Sequence, residues 1–209
     1  MKLNLLVFYG SVRSTRQGIK AARFVVNKCR ERGHEVLLVD PIELRLPLLD
    51  KMYKGYPPGS APESLERLAE RVKAADAYVI VSGEYNHTVP PALANLLDHF
   101  LEEYFYKPIA IVCYSAGAFG GVRAAIALRA MLGELGMSSI PSIFPIPKVQ
   151  DAFREDGSPN RRGLRTPHRE VPRRTRVVRT CAQRGSGARP RPRAEQLLGA
   201  AVDRVTTVS

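Results

Sequence analysis

A chain of 209 residues with 44% hydrophobic content is long enough for one full-sized α/β domain with its own core, and too short for two. Its net charge of +12 is unevenly held: residues 1–150 carry 18 Lys/Arg against 14 Asp/Glu, a net +4, and residues 151–209 carry 14 Arg, no Lys and 6 Asp/Glu, a net +8. No apolar run approaches the ~18 residues of a membrane span, and three scattered cysteines without a C-x-x-C pair point to neither a zinc site nor a disulfide framework.

Leu3 to Phe8 is a short apolar run bounded by Gly10 and reads as a buried first strand. It is too short for a signal-peptide core and lacks a small-residue cleavage site, so the expected location is the cytoplasm. A polar turn, Gly10 to Gly18, leads into a helix over about Arg16 to Arg32, with Ile19, Ala22, Val26 and Cys29 on one face and Gly33 as its stop. Glu35 to Val39 is the second strand. Pro41 to Pro62 is a long loop holding five prolines, and a loop of that length is usually functional or mobile. A helix from about Pro62 to Ala75 precedes the third strand, Ala77 to Ser82. Pro91 then opens a helix reaching Tyr104, in which Leu93, Leu96, Leu97, Phe100 and Leu101 recur at helical spacing. The fourth strand is Pro108 to Tyr114, the next helix about Val122 to Leu135, and the fifth strand Ser139 to Phe144. Strict alternation of strand and helix predicts a doubly wound five-stranded parallel sheet in the order 2-1-3-4-5.

That order brings the loops after strands 1, 3 and 4 to one crevice, the usual ligand position in open α/β sheets. Gly10 to Gly18 has the features of an anion cradle. Ser11, Ser14 and Thr15 offer hydroxyls, Arg13 and Arg16 offer charge, and a helix start offers free amides. It is no P-loop, because no Gly-Lys-Ser/Thr ends it; an ordinary turn with a serine cap is the competing reading. The loop Gly83 to Thr88 offers Tyr85 for stacking and Asn86 for hydrogen bonds. His87 there reads more simply as a bystander, and Asp98 as a capping or dimer-contact residue rather than a catalytic one. Ser115 to Gly121 brings backbone close to a ligand at Gly117, Gly120 and Gly121, unless those glycines serve only a close-packed helix start.

These residues carry a family likeness. Gly10-Ser11-x-Arg13-x-x-Arg16-x-Gly18, Glu84-Tyr85-Asn86 with Pro90, Leu93, Asn95 and Asp98, and Ser115-x-Gly117-x-x-Gly120-Gly121-x-Arg123 together make a chain that resembles the NADPH-dependent FMN reductase family. These are flavodoxin-like proteins that include many azo- and quinone reductases. The resemblance covers about residues 3 to 157. It departs at Gly83, where the family has proline, and at Ala94, where it has lysine. The first departure bears on the turn and the second on an inter-subunit contact.

The resemblance implies an oxidoreductase that passes hydride from NADPH to FMN and on to a quinone, azo compound or other acceptor. The chemistry is then carried by the flavin, with no catalytic side chain and no metal. The implied cofactor-binding residues are Ser11, Arg13, Arg16, Gln17, Gly18, Glu84, Tyr85, Asn86, His87, Ser115, Ala116, Gly117, Gly120 and Gly121. The stripe on helix 91–104 is expected to exceed what the sheet covers, making that helix the interface of a homodimer or homotetramer. Rival uses of the fold lose their key residues. Cys113-Tyr114-Ser115-Ala116-Gly117 lacks the first glycine of a nucleophile elbow, and Val81-Ser82 offers no phospho-acceptor carboxylate.

Domain organisation follows: residues 1–157 as the FMN-binding reductase domain and 158–209 as an Arg/Pro-rich tail. The tail has the composition of disorder or of an out-of-frame terminus, with a weak helical stripe over 194–208. The alternative reading of function is a non-catalytic flavin-binding electron carrier whose basic tail holds nucleic acid by phosphate neutralisation. The tail's lack of aromatics and binding motifs argues against that partner.

Overall fold

The computed structural model describes residues 2–160. Its centre is three strands without polar faces: β1 (Asn4–Tyr9), β3 (Ala77–Gly83) and β4 (Pro108–Tyr114). All of β3 and β4, and β1 from Leu5 onward, are buried. Apolar side chains on both faces of a strand require cover on both faces, which a parallel sheet with crossover helices supplies. β2 (Glu35–Val39) and β5 (Ser138–Ile146) complete it, in the order β2-β1-β3-β4-β5 with every pair parallel. The predicted fold class, strand number and order are all observed.

One face packs on α1 (Gly18–Arg30), through Ala21, Ala22, Val25, Val26 and Cys29. The other packs on α3 (Glu63–Ala74), α4 (Pro91–Asp98) and α5 (Val122–Glu134). Short helices α2 (Pro41–Leu44) and α6 (Val149–Ala152) follow β2 and β5. β5 is an edge strand carrying Pro141 and Pro145, which an edge tolerates because one side of its backbone seeks no partner. It also shifts register against β4 between Ile109 and Ile111 and extends two residues beyond the predicted Phe144.

Three expectations change. The long loop 41–62 contains α2 and a 3-10 turn, Tyr53–Gly55, and is bound down. Asn95 receives the Leu49 amide and donates to the Pro47 carbonyl, each at 2.8 Å, and the Tyr53 hydroxyl donates to Glu66 at 2.7 Å. The helix predicted to reach Tyr104 stops at Asp98. The backbone breaks at Leu101 (φ −144°, ψ −73°) and re-forms as a 3-10 turn, Glu102–Tyr104. Phe100 and Tyr104 thereby meet edge-to-face at 6.0 Å inside the core.

The third change concerns the leucine stripe. Leu93, Leu96, Leu97 and Phe100 are all buried within the single chain and Leu101 partly so, so the stripe is largely spent on the chain's own core. The chain's end of the described region is also packed: Asn160 donates its amide to Ala152 at 2.9 Å, and Gly157 adopts φ +85° against the backbone of Arg23 and Phe24. The expectations for 161–209 lie outside the described residues. Among the described residues no helix is long and apolar enough to cross a membrane.

Candidate functional site

Parallel register aligns the strand ends, pairing Tyr9 with Val81 and Gly83 with Tyr114. The three loops that follow therefore share one cleft of about 360 Å³, within the usual range for a small-molecule site. From the first loop it is lined by Ser11, Arg13, Thr15, Arg16, Gln17 and Gly18; from the second by Gly83, Glu84 and Tyr85; from the third by Ser115 and Ala116. Tyr114, Val149 and Gln150 complete the wall.

The first loop is folded by its own donors. Ser11 is 2% exposed; its hydroxyl shares a hydrogen bond with the Tyr85 hydroxyl at 2.9 Å and receives the Arg13 amide at 3.4 Å. Arg16 turns inward. Its guanidinium forks both oxygens of Asp40 at 2.6 Å, donates to the Ser11 carbonyl at 3.1 Å, and lies 5.2 Å over the Tyr9 ring. That pairing raises its already high pKa. Arg13 is exposed. The start of α1 has no side-chain cap and no acidic residue in its first turn, leaving amide donors and a positive dipole end for an anion.

The second loop is a two-residue hairpin turn. Tyr85 and Thr88 exchange backbone hydrogen bonds at 3.1 and 2.9 Å, and Asn86 and His87 both adopt left-handed φ, 50° and 66°, as such a turn demands. Both are exposed at its tip and outside the cleft lining. Glu84, on the cleft wall, is tied to the start of α5. It accepts from the Arg123 amide at 3.0 Å and from its guanidinium at 2.9 Å. Burial pushes the Glu84 carboxyl up, but hydrogen bonds from the Arg123 side chain and the amides of Arg123 and Ala124 outweigh it and hold the pKa below its ordinary value.

The third loop divides by role. Ser115 donates its hydroxyl to the Gly117 carbonyl at 3.2 Å, and Gly117 faces open space. Gly120 and Gly121, at φ +63° and +81°, shape the turn into α5; a Cβ on Gly121 would stand 2.6 Å from the Tyr114 carbonyl oxygen. The segment after β5 closes over this loop, the Lys148 amide donating a hydrogen bond to the Gly117 carbonyl and the Val149 amide to the Ser115 carbonyl, each at 3.1 Å.

Sequence reasoning passed over Tyr114 and Asp40. The Tyr114 ring wedges between the loops: a Cβ on Gly18 would overlap it, and one on Gly83 would stand 3.2 Å away. The glycine at 83, where the family has proline, thus makes room for this ring. Its hydroxyl donates to the Tyr9 hydroxyl at 3.4 Å, and burial drives its pKa far up, so it stays a neutral donor. The only cue in the sequence was Tyr114's place as the last residue of a strand. Asp40 had a clearer one: an aspartate directly before Pro41 is a helix start signal, and it caps α2 by accepting the Ile42 amide at 3.0 Å.

Flavin mononucleotide places two demands on such a cleft, a set of donors for a dianionic phosphate and a gap between loops for a flat ring. The donors are present, and the one carboxylate on the wall, Glu84, is answered by Arg123. The residues fit the group.

Comparison with known proteins agrees. The family described as NADPH-dependent FMN reductase matches residues 3–151, which include the sheet and all three loops. An NADPH azoreductase of a Bacillus species is 26% identical over 140 residues, covering 66% of this chain and 74% of its own length. A quinone reductase of Pseudomonas putida is 31% identical over 140 residues, covering 64% and 72%. Among solved structures, a flavoenzyme NAD(P)H:(acceptor) oxidoreductase from Paracoccus denitrificans shares the fold. Its TM-score is 0.66 at 23% identity, over 87% of this chain and 96% of that one. With the match spanning every strand and each loop of the cleft, the chain belongs to the NADPH-dependent FMN reductase family.

Proposed function

We propose that FMN binds in the cleft at the ends of β1, β3 and β4. The chain then works as an NAD(P)H-dependent FMN reductase serving a quinone, an azo compound or another small acceptor. The donor set carries this reading: an uncapped helix start, Arg13, Ser11 and Thr15 converge on a cleft whose one lining carboxylate is neutralised by Arg123. Bound FMN supplies the hydride-accepting ring, so the protein contributes binding, orientation and electrostatics.

Residues Ser11 to Gly18 would hold the phosphate through amides, hydroxyls and the Arg13 cation. Gly83 to Tyr85 and Ser115 to Gly117 would border the ring from its two sides. Glu84, fixed to Arg123, keeps those two loops at a constant separation before any ligand arrives, which lowers the cost of ordering the site. Asn86 and His87 stand at the exposed rim, where an incoming nicotinamide would pass. Gly120 and Gly121 act one step back, by setting the course of the third loop.

Anaerobic addition of NADPH to the FMN-loaded protein tests the reading. Loss of the flavin's visible band, regained with a quinone, is the expected result. A band unmoved by NADPH or NADH would mark a flavin carrier instead.

Two further points complete the proposal. The buried, unpaired thiols Cys29 and Cys113 suit a reducing compartment, and we place the protein in the cytoplasm. A homodimer through α4 must use the surface beside its buried stripe. There Asn95 holds down the segment carrying Leu48, 84% exposed, and Leu49, 38% exposed.

A further inference from the structure

Asp40 ends β2 and belongs to none of the three loops, yet it is tied to the first of them. Its side chain is 3% exposed and that of Arg16 is 18% exposed. A guanidinium has five N–H donors and no acceptor. Three are committed here: one to each oxygen of Asp40, and one to the carbonyl of Ser11. The Arg16 backbone amide also closes the turn on the Arg13 carbonyl at 3.2 Å. Arg16 thus spans both ends of the Ser11–Arg16 turn, with its charge balanced by a buried carboxylate. A cation so engaged is a brace, and the loop's exposed charge for a ligand is Arg13.

We propose that Asp40 is a positioning residue for the cofactor phosphate. It touches no ligand. It fixes Arg16, and through Arg16 it holds the Ser11–Arg16 turn in the shape that presents Arg13 and the amides at the start of α1. The inference rests on the reading of the cleft as an FMN site. It assigns the specificity for the phosphorylated flavin partly to a residue outside the cleft lining.

Asp40 also caps α2, so a variant must separate the two roles. Asparagine caps a helix as well as aspartate does but cannot accept a charged fork. Lysine at position 16 keeps the charge but cannot make the fork. Wild type, Asp40→Asn, Arg16→Lys and the double variant are titrated with FMN and with riboflavin, which lacks the phosphate, and their thermal midpoints are measured without flavin.

The expected result is FMN affinity lowered on the order of tenfold in either single variant, the scale of one charge-assisted hydrogen bond, with riboflavin affinity within about twofold of wild type. The double variant should be no worse than the weaker single, since both break one device. Equal losses for the two flavins would make Asp40 a general support of the fold and overturn the proposal. So would tighter FMN binding in Asp40→Asn, or losses that add in the double variant. A wild-type protein that takes up neither flavin would overturn the FMN reading itself, and that outcome is visible before any variant is compared. If Asp40→Asn does not fold, Arg16→Lys, which leaves the α2 cap intact, decides alone.

Discussion

Arg13 and Arg16 are three residues apart on one turn and carry different duties. Arg16 is held by Asp40 and Ser11; Arg13 is exposed on the cleft wall. A phosphate set at the start of α1 gains ~0.3–1 kcal/mol from the helix dipole, and a forked arginine adds roughly 1.5–3 kcal/mol. Arg13→Ala should therefore weaken FMN binding about ten- to hundredfold and leave riboflavin scarcely affected; an equal loss for both flavins would assign Arg13 to the loop rather than to the phosphate. The thiols are a second case at this scale. Burial pushes Cys29 and Cys113 up to about 12, and a protonated buried thiol is inert. In a Cys181→Ser background, a thiol reagent should leave the native protein unmodified and react only after denaturant is added.

At the scale of elements, the Glu84–Arg123 pair ties the loop after β3 to the start of α5. The folded carboxyl titrates below its ordinary value of 4.5. Its contribution is therefore fully present above the unfolded value and is lost as pH falls through the folded one. Glu84→Gln cannot lose what it lacks. Its thermal midpoint should lie below wild type at neutral pH, by an amount reflecting ~1–3 kcal/mol for a buried acceptor with reduced pairing, and the two curves should converge once the pH has fallen through the lowered pKa of the folded Glu84 carboxyl. Parallel curves would mean the pair does not stabilise the fold.

Elements were also where the sequence was most legible. β1, β3 and β4 are near-continuous apolar runs ended by glycine or a polar turn, and that pattern has few other solutions. The end of α4 was hidden because Leu101 and Tyr104 continue the helical period past the break. The Arg16–Asp40 fork was hidden for another reason: no spacing rule links residues 24 apart until strand order has set β2 beside β1. The wedge of Tyr114 against Gly18 and Gly83 is of the same kind, a contact among two strand ends and the start of α1 that only the assembled sheet brings together.

On the scale of the whole molecule, the sheet separates two apolar layers, and each side must be covered from within the chain. A stripe of leucines in a sequence reports that a face is apolar without reporting what covers it. For α4 the covering surface is the sheet and its neighbours, leaving Leu97 fully buried. Leu97→Glu would place a carboxylate in that layer, where an unpaired charge is strongly disfavoured, and would forfeit packing comparable to the ~2–5 kcal/mol of a buried Leu→Ala change. That approaches the whole stability of an ordinary domain. The expected result is a protein that is unfolded or melts far below wild type, at every protein concentration. Leu48 is the contrasting site, since a substitution at an exposed position usually shifts stability by no more than ~0.5 kcal/mol. Leu48→Glu should therefore melt like wild type when both are dilute. If the segment beside α4 joins two copies, that variant alone should change the mass seen by light scattering, by adding a charge to each side of the contact. A well-folded Leu97→Glu protein of halved mass would return the dimer contact to the leucine stripe and contradict the burial of that face.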